Sequence, residues 1–106
     1  MNGKSLGKIE SCKFGTSDAM IGMFFSFTGD GWGVSDFWGD WNIPHSERCQ
    51  WTEKQRITRL GEMVMRLNTI LEQAKCTDIK QLVGKPVEVT FDGNMIKSWR
   101  ILTEVL

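Results

Sequence analysis

The side chains able to carry chemistry are few, and most lie in the middle of the chain. The one histidine, His45, stands four residues before Cys49, close enough in sequence for the two to share a metal ion. No second close pair completes a tetrahedral set, so a structural zinc is set aside, and the residues call for no cofactor. Cys12, Cys49 and Cys76 form an odd, widely spaced set without a C-x-x-C, which reads as reduced thiols in a cytoplasm. Asp30, Asp36 and Asp40 could gather near one loop and offer oxygens to a divalent cation, but their spacing fits no calcium loop. They read instead as solvated turn carboxylates. There is no nucleophile motif and no paired acidic signature on a helix, so an acid–base or nucleophilic reaction lacks its parts. An enzyme is not expected.

Binding chemistry has more to work with. Gly29-Asp30-Gly31-Trp32-Gly33 is a glycine-rich turn whose amides could approach an anion. It lacks the lysine of a phosphate loop and does not open a helix, and Asp30 repels phosphate. Trp32, Trp38, Trp41 and Trp51 are more tryptophans than the core of so short a segment requires. Two uses are open for them. In the first, Trp38 and Trp41 stand exposed with Asp36 and Asp40 around them, as a hot spot ringed by charge for a partner protein. In the second, Trp32 or Trp51 stacks on a base while Arg56 or Arg59 meets phosphate, and the chain sequesters a nucleotide. The candidate binding set is therefore Trp32, Asp36, Trp38, Asp40, Trp41, Trp51, Arg56 and Arg59.

Charge weighs against long nucleic acid as the partner. The 106 residues carry 13 Lys and Arg against 13 Asp and Glu, so the net charge is zero where a polyanion binder shows a basic stripe. The balance hides a segregation. Residues 14–47 hold five acids and no Lys or Arg, whereas residues 48–75 hold six basic residues against three acids. Nine of the eleven Phe and Trp fall between Phe14 and Trp51, so an acidic aromatic half faces a basic helical one. That complementarity permits self-association as a homodimer or higher oligomer, or a contact within one chain. The N-terminal residues are polar, with no targeting pattern, and Ala19–Phe27 is too short to span a bilayer, so no membrane association is expected.

The elements that must position these residues follow from periodicity. Lys8 to Phe14 reads as a first strand. Met20 to Thr28 alternates, with Ile21, Met23, Phe25 and Phe27 on one face, and reads as a second. After the Gly29-Asp30-Gly31 turn, Trp32 to Trp38 returns with Val34, Asp36 and Trp38 facing one way, and residues 39–51 read as a loop. A long amphipathic helix is predicted from about Glu53 to Ala74. Ile57, Leu60, Val64, Leu67, Leu71 and Ala74 recur at spacings of three and four, widened by Met63 and Ile70. Thr52 with Gln55 makes a capping box. Gly61 costs this helix about 1 kcal/mol relative to alanine, which suggests a close neighbour there. A short helical turn over Thr77–Leu82 closes at Gly84. Val87, Val89 and Phe91 then alternate into the turn Asp92-Gly93-Asn94, and Met95 to Val105 returns with Trp99, Ile101 and Val105 on one face. The expected architecture is a single α+β domain over residues 1–106: an antiparallel sheet, in the order β-β-β-α-β-β, with the helix across one face.

The chain also resembles a family of small proteins encoded by bacteriophages and prophages. The likeness rests on Phe14-Gly15, on Gly31-Trp32-Gly33-Val34 with Asp36-Phe37, and on Trp51-Thr52-Glu53. It continues through Gly84-Lys85-Pro86-Val87-Glu88-Val89-Thr90-Phe91 and Lys97-Ser98-Trp99-Arg100-Ile101-Leu102-Thr103-Glu104-Val105, and covers nearly all of the chain from Lys8 onward. Thr16-Ser17-Asp18 departs from it, where members have a Gly-Gly-Tyr-like turn. The family offers no catalytic residues to carry over. The resemblance implies a non-enzymatic binder in the cytoplasm of an infected or lysogenic bacterium. It would be a counter-defence factor that occludes a host immune protein, or an oligomeric sponge for an immune signalling nucleotide. An accessory in single-strand DNA replication or recombination is the further alternative.

Overall fold

A computed structural model describes residues 3–43 and 45–106. Pro44, within the segment read as a loop, and Met1 and Asn2 lie outside the described residues. Five strands form one antiparallel sheet: β1 (Gly3–Ser17), β2 (Met20–Gly29), β3 (Trp32–Trp41), β4 (Pro86–Asp92) and β5 (Met95–Ile101), in the spatial order β3-β2-β1-β4-β5. One long helix, α1 (Glu53–Gln73), intervenes between β3 and β4. The α+β class and the element order agree with the sequence reading.

β1 is longer than its apolar pattern suggests, because it serves as the central strand twice. Its first half pairs with β4, Gly3 opposite Phe91 through Lys8 opposite Pro86, and its second half pairs with β2 out to Ser17 opposite Met20. The two ladders run along opposite edges of β1 and overlap at Gly7 and Lys8, and a register shift between Ile9 and Ser11 bulges the strand within its pairing to β2. The inward positions of the first half are Gly3, Ser5 and Gly7, too small to register as a buried strand. At Gly7 the smallness has a cause: the Trp32 indole lies across Gly7 and Gly29. A methyl group added at Gly29 would fall 2.3 Å from that ring, and one at Gly7 would sit 2.8 Å from it.

The sheet coils until its edge strands β3 and β5 approach within 8 Å, forming a concave face lined with aromatic rings. Trp38 of β3 stacks on Trp99 of β5 at 5.4 Å between ring centroids. Phe25 lies 4.6 Å from Trp38 and 5.0 Å from Trp99, while Phe27 lies 4.7 Å from Trp99. Ile9, Met23, Val87, Val89, Phe91 and Ile101 complete the floor, and Met63, Ile70, Ala74 and Leu82 close it from above. β5 ends at Ile101, one turn earlier than its alternation suggests. Leu102 tucks in, and a 3-10 turn over Thr103–Val105 leaves Val105 exposed rather than beside Trp99.

The capping box of α1 forms as expected. The Thr52 hydroxyl accepts from the Gln55 backbone N–H at 3.0 Å, and the Gln55 side chain accepts from the Thr52 N–H at 2.9 Å. The apolar stripe is divided, however. Arg56, Leu60, Met63, Leu67, Ile70 and Ala74 face the sheet, whereas Ile57 and Val64 are exposed. The sequence stripe runs along the boundary between these two faces, because the concave sheet meets the helix on one flank rather than head-on. After α1 the 3-10 turn Ile79–Leu82 docks on β1. There the Cys12 thiol donates to the Ile79 carbonyl at 3.1 Å, and Leu82 is fully buried.

Candidate functional site

β3 decides where the candidate residues go, because strand alternation assigns each to a face. Trp32, Val34, Asp36, Trp38 and Asp40 share the concave face with Met23, Phe25 and Phe27, and Trp41 points outward. Trp32 and Trp41 therefore stand at opposite ends of a strand about 30 Å long, and no one site contains both.

The expectation of an exposed Trp38 framed by Asp36 and Asp40 is corrected. Trp38 is only 5% exposed, enclosed by Phe25, Trp99 and the Arg66 guanidinium, which lies 4.1 Å above its ring. Asp36 works as an internal strut. Its Oδ2 accepts from Trp38 Nε1 and from Trp99 Nε1, both at 2.9 Å, while Oδ1 accepts from the Phe37 backbone N–H. One carboxylate thus ties edge strand β3 to edge strand β5. Asp40 is buried, accepts from the Trp41 N–H at 2.8 Å, and pairs with Arg59 Nε at 2.7 Å. The acidic strand segment and the basic helix therefore meet within one chain. The three aspartates do not gather: Asp30 is exposed in the β2–β3 turn and the other two have separate partners. The glycine-rich turn is a tight hairpin in which Gly31 takes a φ of 79°, open to glycine at no steric cost. It lies at the far end of β3 from the arginines.

The remaining candidates come together at the C-terminal end of β3. Trp51, just before the α1 cap, packs edge-on against His45 at 5.4 Å, with the Arg56 guanidinium 6.0 Å from its ring. Arg56 donates to the Trp41 carbonyl at 3.2 Å and binds Glu53 through two nitrogens, at 2.8 and 3.1 Å. This fork holds the Glu53 carboxyl below its ordinary range, with the His45 backbone N–H adding to the effect, and it raises the Arg56 guanidinium in turn. Around the cluster Trp41 is 37% exposed and Ile43 40% exposed.

Beside the cluster runs an open groove of about 660 Å³ lined by Gln50, Trp51, Lys54, Gln55, Thr58 and Arg59. Gln50, Lys54, Gln55, Thr58 and Ile43 were missed as candidates. Lys54, Gln55 and Thr58 carried a signal, since positions 54, 55, 58 and 59 recur at the three-and-four spacing of a single helix face, whereas Gln50 precedes the helix and carried none. Ile43 carried none, because an isolated apolar residue in a loop has no periodicity. Among the described residues no three of His, Cys, Asp and Glu are placed to hold a metal ion. Cys49 lies against the Ser46 hydroxyl and His45 against Trp51. Among the described residues no helix is long and apolar enough to cross a membrane. No family model, curated protein or solved structure matches the chain.

Proposed function

We propose that this chain is a small phage-encoded, non-enzymatic binding protein acting in the cytoplasm of the infected or lysogenic bacterial host. Its work is to inhibit a host immune protein by stoichiometric protein–protein binding. The observation that carries this reading is the end of the molecule where the Arg56 guanidinium lies over Trp51 and holds the Trp41 carbonyl, with the Trp41 and Ile43 side chains exposed and outside the aromatic core. Tryptophan and arginine are the residues that concentrate binding energy in protein interfaces, and an apolar centre with a charged rim is the arrangement in which they do so. The rim is present here in Glu53, Arg56, Lys54 and Arg59. The fork between Arg56 and Glu53 presets the guanidinium, so less side-chain freedom is lost when a partner docks.

A second reading, the sponge for a signalling nucleotide, is favoured by one observation: Trp51, Lys54 and Arg59 line the same groove. A base on Trp51 would set its phosphates toward Lys54. Against it, Arg56 and Arg59 are already committed to Glu53 and Asp40, so a phosphate must compete with two carboxylates. The single-strand DNA reading has less to stand on, since Arg56 and Arg59 at the aromatic end are already paired with carboxylates. A native mass spectrum of protein freshly purified from bacteria separates the three. The protein-inhibitor reading expects a bare chain that retains added partner protein at fixed stoichiometry. A few hundred daltons of retained nucleotide per site would replace it with the sponge, and steeply salt-dependent binding of single-stranded DNA would replace it with the accessory role.

A further inference from the structure

The outward flank of α1 carries an apolar stripe that is left open except at its end, where Leu71 packs partly against the core. Ile57, Gly61, Val64, Asn68 and Leu71 follow one another at spacings of four and three along one side of the helix. Ile57 and Val64 are 62% and 54% exposed, and Met65 beside them is 63% exposed. Gly61 sits in the middle of this face, and a methyl group added there would meet nothing within 4 Å. A mid-helix glycine weakens the helix, and no neighbour within the chain accounts for it. A second helix approaching closely at that point does.

The charges along the same face fix which second helix. Lys54 and Glu72 lie on one flank of the stripe, ten residues before and eight residues after Val64. Neither Lys54 nor Glu72 has an ion-pair partner among the described residues. When an identical helix is laid antiparallel about a twofold axis level with residues 63 and 64, each Lys54 comes within one residue's rise (~1.5 Å) of the level of the other copy's Glu72. The same operation brings Ile57 to the level of Leu71 to the same precision, sets the two Val64 side chains beside the axis, and places Met65 of each copy over the open space at Gly61 of the other. An isologous contact of this kind requires a patch complementary to itself, and both the charges and the large-against-small pairing meet that condition. We infer that the chain forms a twofold homodimer through the Ile57–Leu71 face of α1, with the two helices antiparallel. The inference does not rest on the proposed function: Trp41, Ile43 and Trp51 are not on this face, and Lys54 is the residue that the two surfaces share.

Sedimentation velocity of the full chain, over concentrations from about 1 to 500 µM, reads the assembly directly, the range being that of modest protein contacts. The expected result is a species of twice the 12.1 kDa chain mass that dissociates on dilution. Val64→Lys places like charges beside the axis and is expected to weaken dimerisation at least about tenfold. Lys54→Glu and Glu72→Lys are each expected to weaken it several-fold, and the double exchange to restore it, which a merely sticky apolar face would not do. Gly61→Leu separates the two roles of that position: it raises the thermal midpoint at low concentration while weakening the dimer. A chain that stays monomeric throughout the range overturns the inference. So does a dimer indifferent to Val64→Lys, whose contact lies elsewhere, or one in which the double charge exchange is no better than either single change.

Discussion

Replacing Asp36 by alanine is the sharpest perturbation of the fold. Its carboxylate accepts three N–H groups, two of them from the indoles of Trp38 and Trp99, which are 5% and 8% exposed. Buried donors left without an acceptor cost about 1–3 kcal/mol each. The two indoles alone therefore give about 2–6 kcal/mol, with the lower part of that range reached if water enters beside them. Domains of this size have about 5–15 kcal/mol in total. A loss of 2 kcal/mol lowers the thermal midpoint by about 10 °C or more. Urea unfolding followed by tryptophan fluorescence is the assay, since both rings that lose their acceptor report on the transition. Asp36→Asn keeps one acceptor oxygen and is expected to fall between alanine and wild type. If Asp36→Ala changes stability by less than about 0.5 kcal/mol, inside the range of an ordinary surface substitution, then the carboxylate is no strut between β3 and β5.

Three further outcomes follow from particular contacts. Gly29→Ala drives a methyl group into the Trp32 ring and is expected to cost about 1–3 kcal/mol in the same unfolding assay; an unchanged midpoint would show that Trp32 does not lie against that glycine. The Cys12 thiol is pushed above its ordinary value of 9.0 by burial and then by Asp78, so it should alkylate slowly in the native protein and readily in urea. Equal rates in the two states would contradict its placement under the Ile79 turn. The Glu53 carboxyl is held low by Arg56, so its stabilisation of the helix start is present above its ordinary value of 4.5 and is lost as pH falls through the depressed folded value. Carboxyl chemical shifts followed against pH should show that depression in the wild type and lose it in Arg56→Ala.

Much of the architecture was legible because alternation and helical period are local. β2, the capping box and the β4–β5 hairpin each carry their pattern within a few residues. The first half of β1 was not legible, since its inward positions Gly3, Ser5 and Gly7 are small, and at Gly7 the reason is a ring from Trp32, which is distant in sequence. Strand β3 was read as ending at Trp38, because Gly39 hides the alternation that Asp40 and Trp41 continue. The division of the helix stripe depends on the angle at which a coiled sheet meets α1, which no window of sequence contains. The candidate site was read as a set of residue types, and the structure sorts that set by face. Trp38, Asp36 and Asp40 turn inward to bind one another's neighbours. Trp41, Trp51 and Arg56 collect at one end, and Trp32 is left at the other. The identity of an exposed tryptophan depends on strand parity, and parity along β3 was correct from Val34 to Trp38. An inward Trp38 shares the concave face with Phe25, and that contact buries it.

The most direct test of the account immobilises the chain and exposes it to cytosol of the bacterial host, beside a Trp41→Ala/Trp51→Ala variant whose thermal midpoint has been measured. The account predicts a host protein retained at fixed stoichiometry by the wild type, at least about tenfold less by the variant, with the midpoint of the variant close to that of the wild type. Equal retention by both proteins would contradict it, because the partner would then be recognised somewhere other than the tryptophan end.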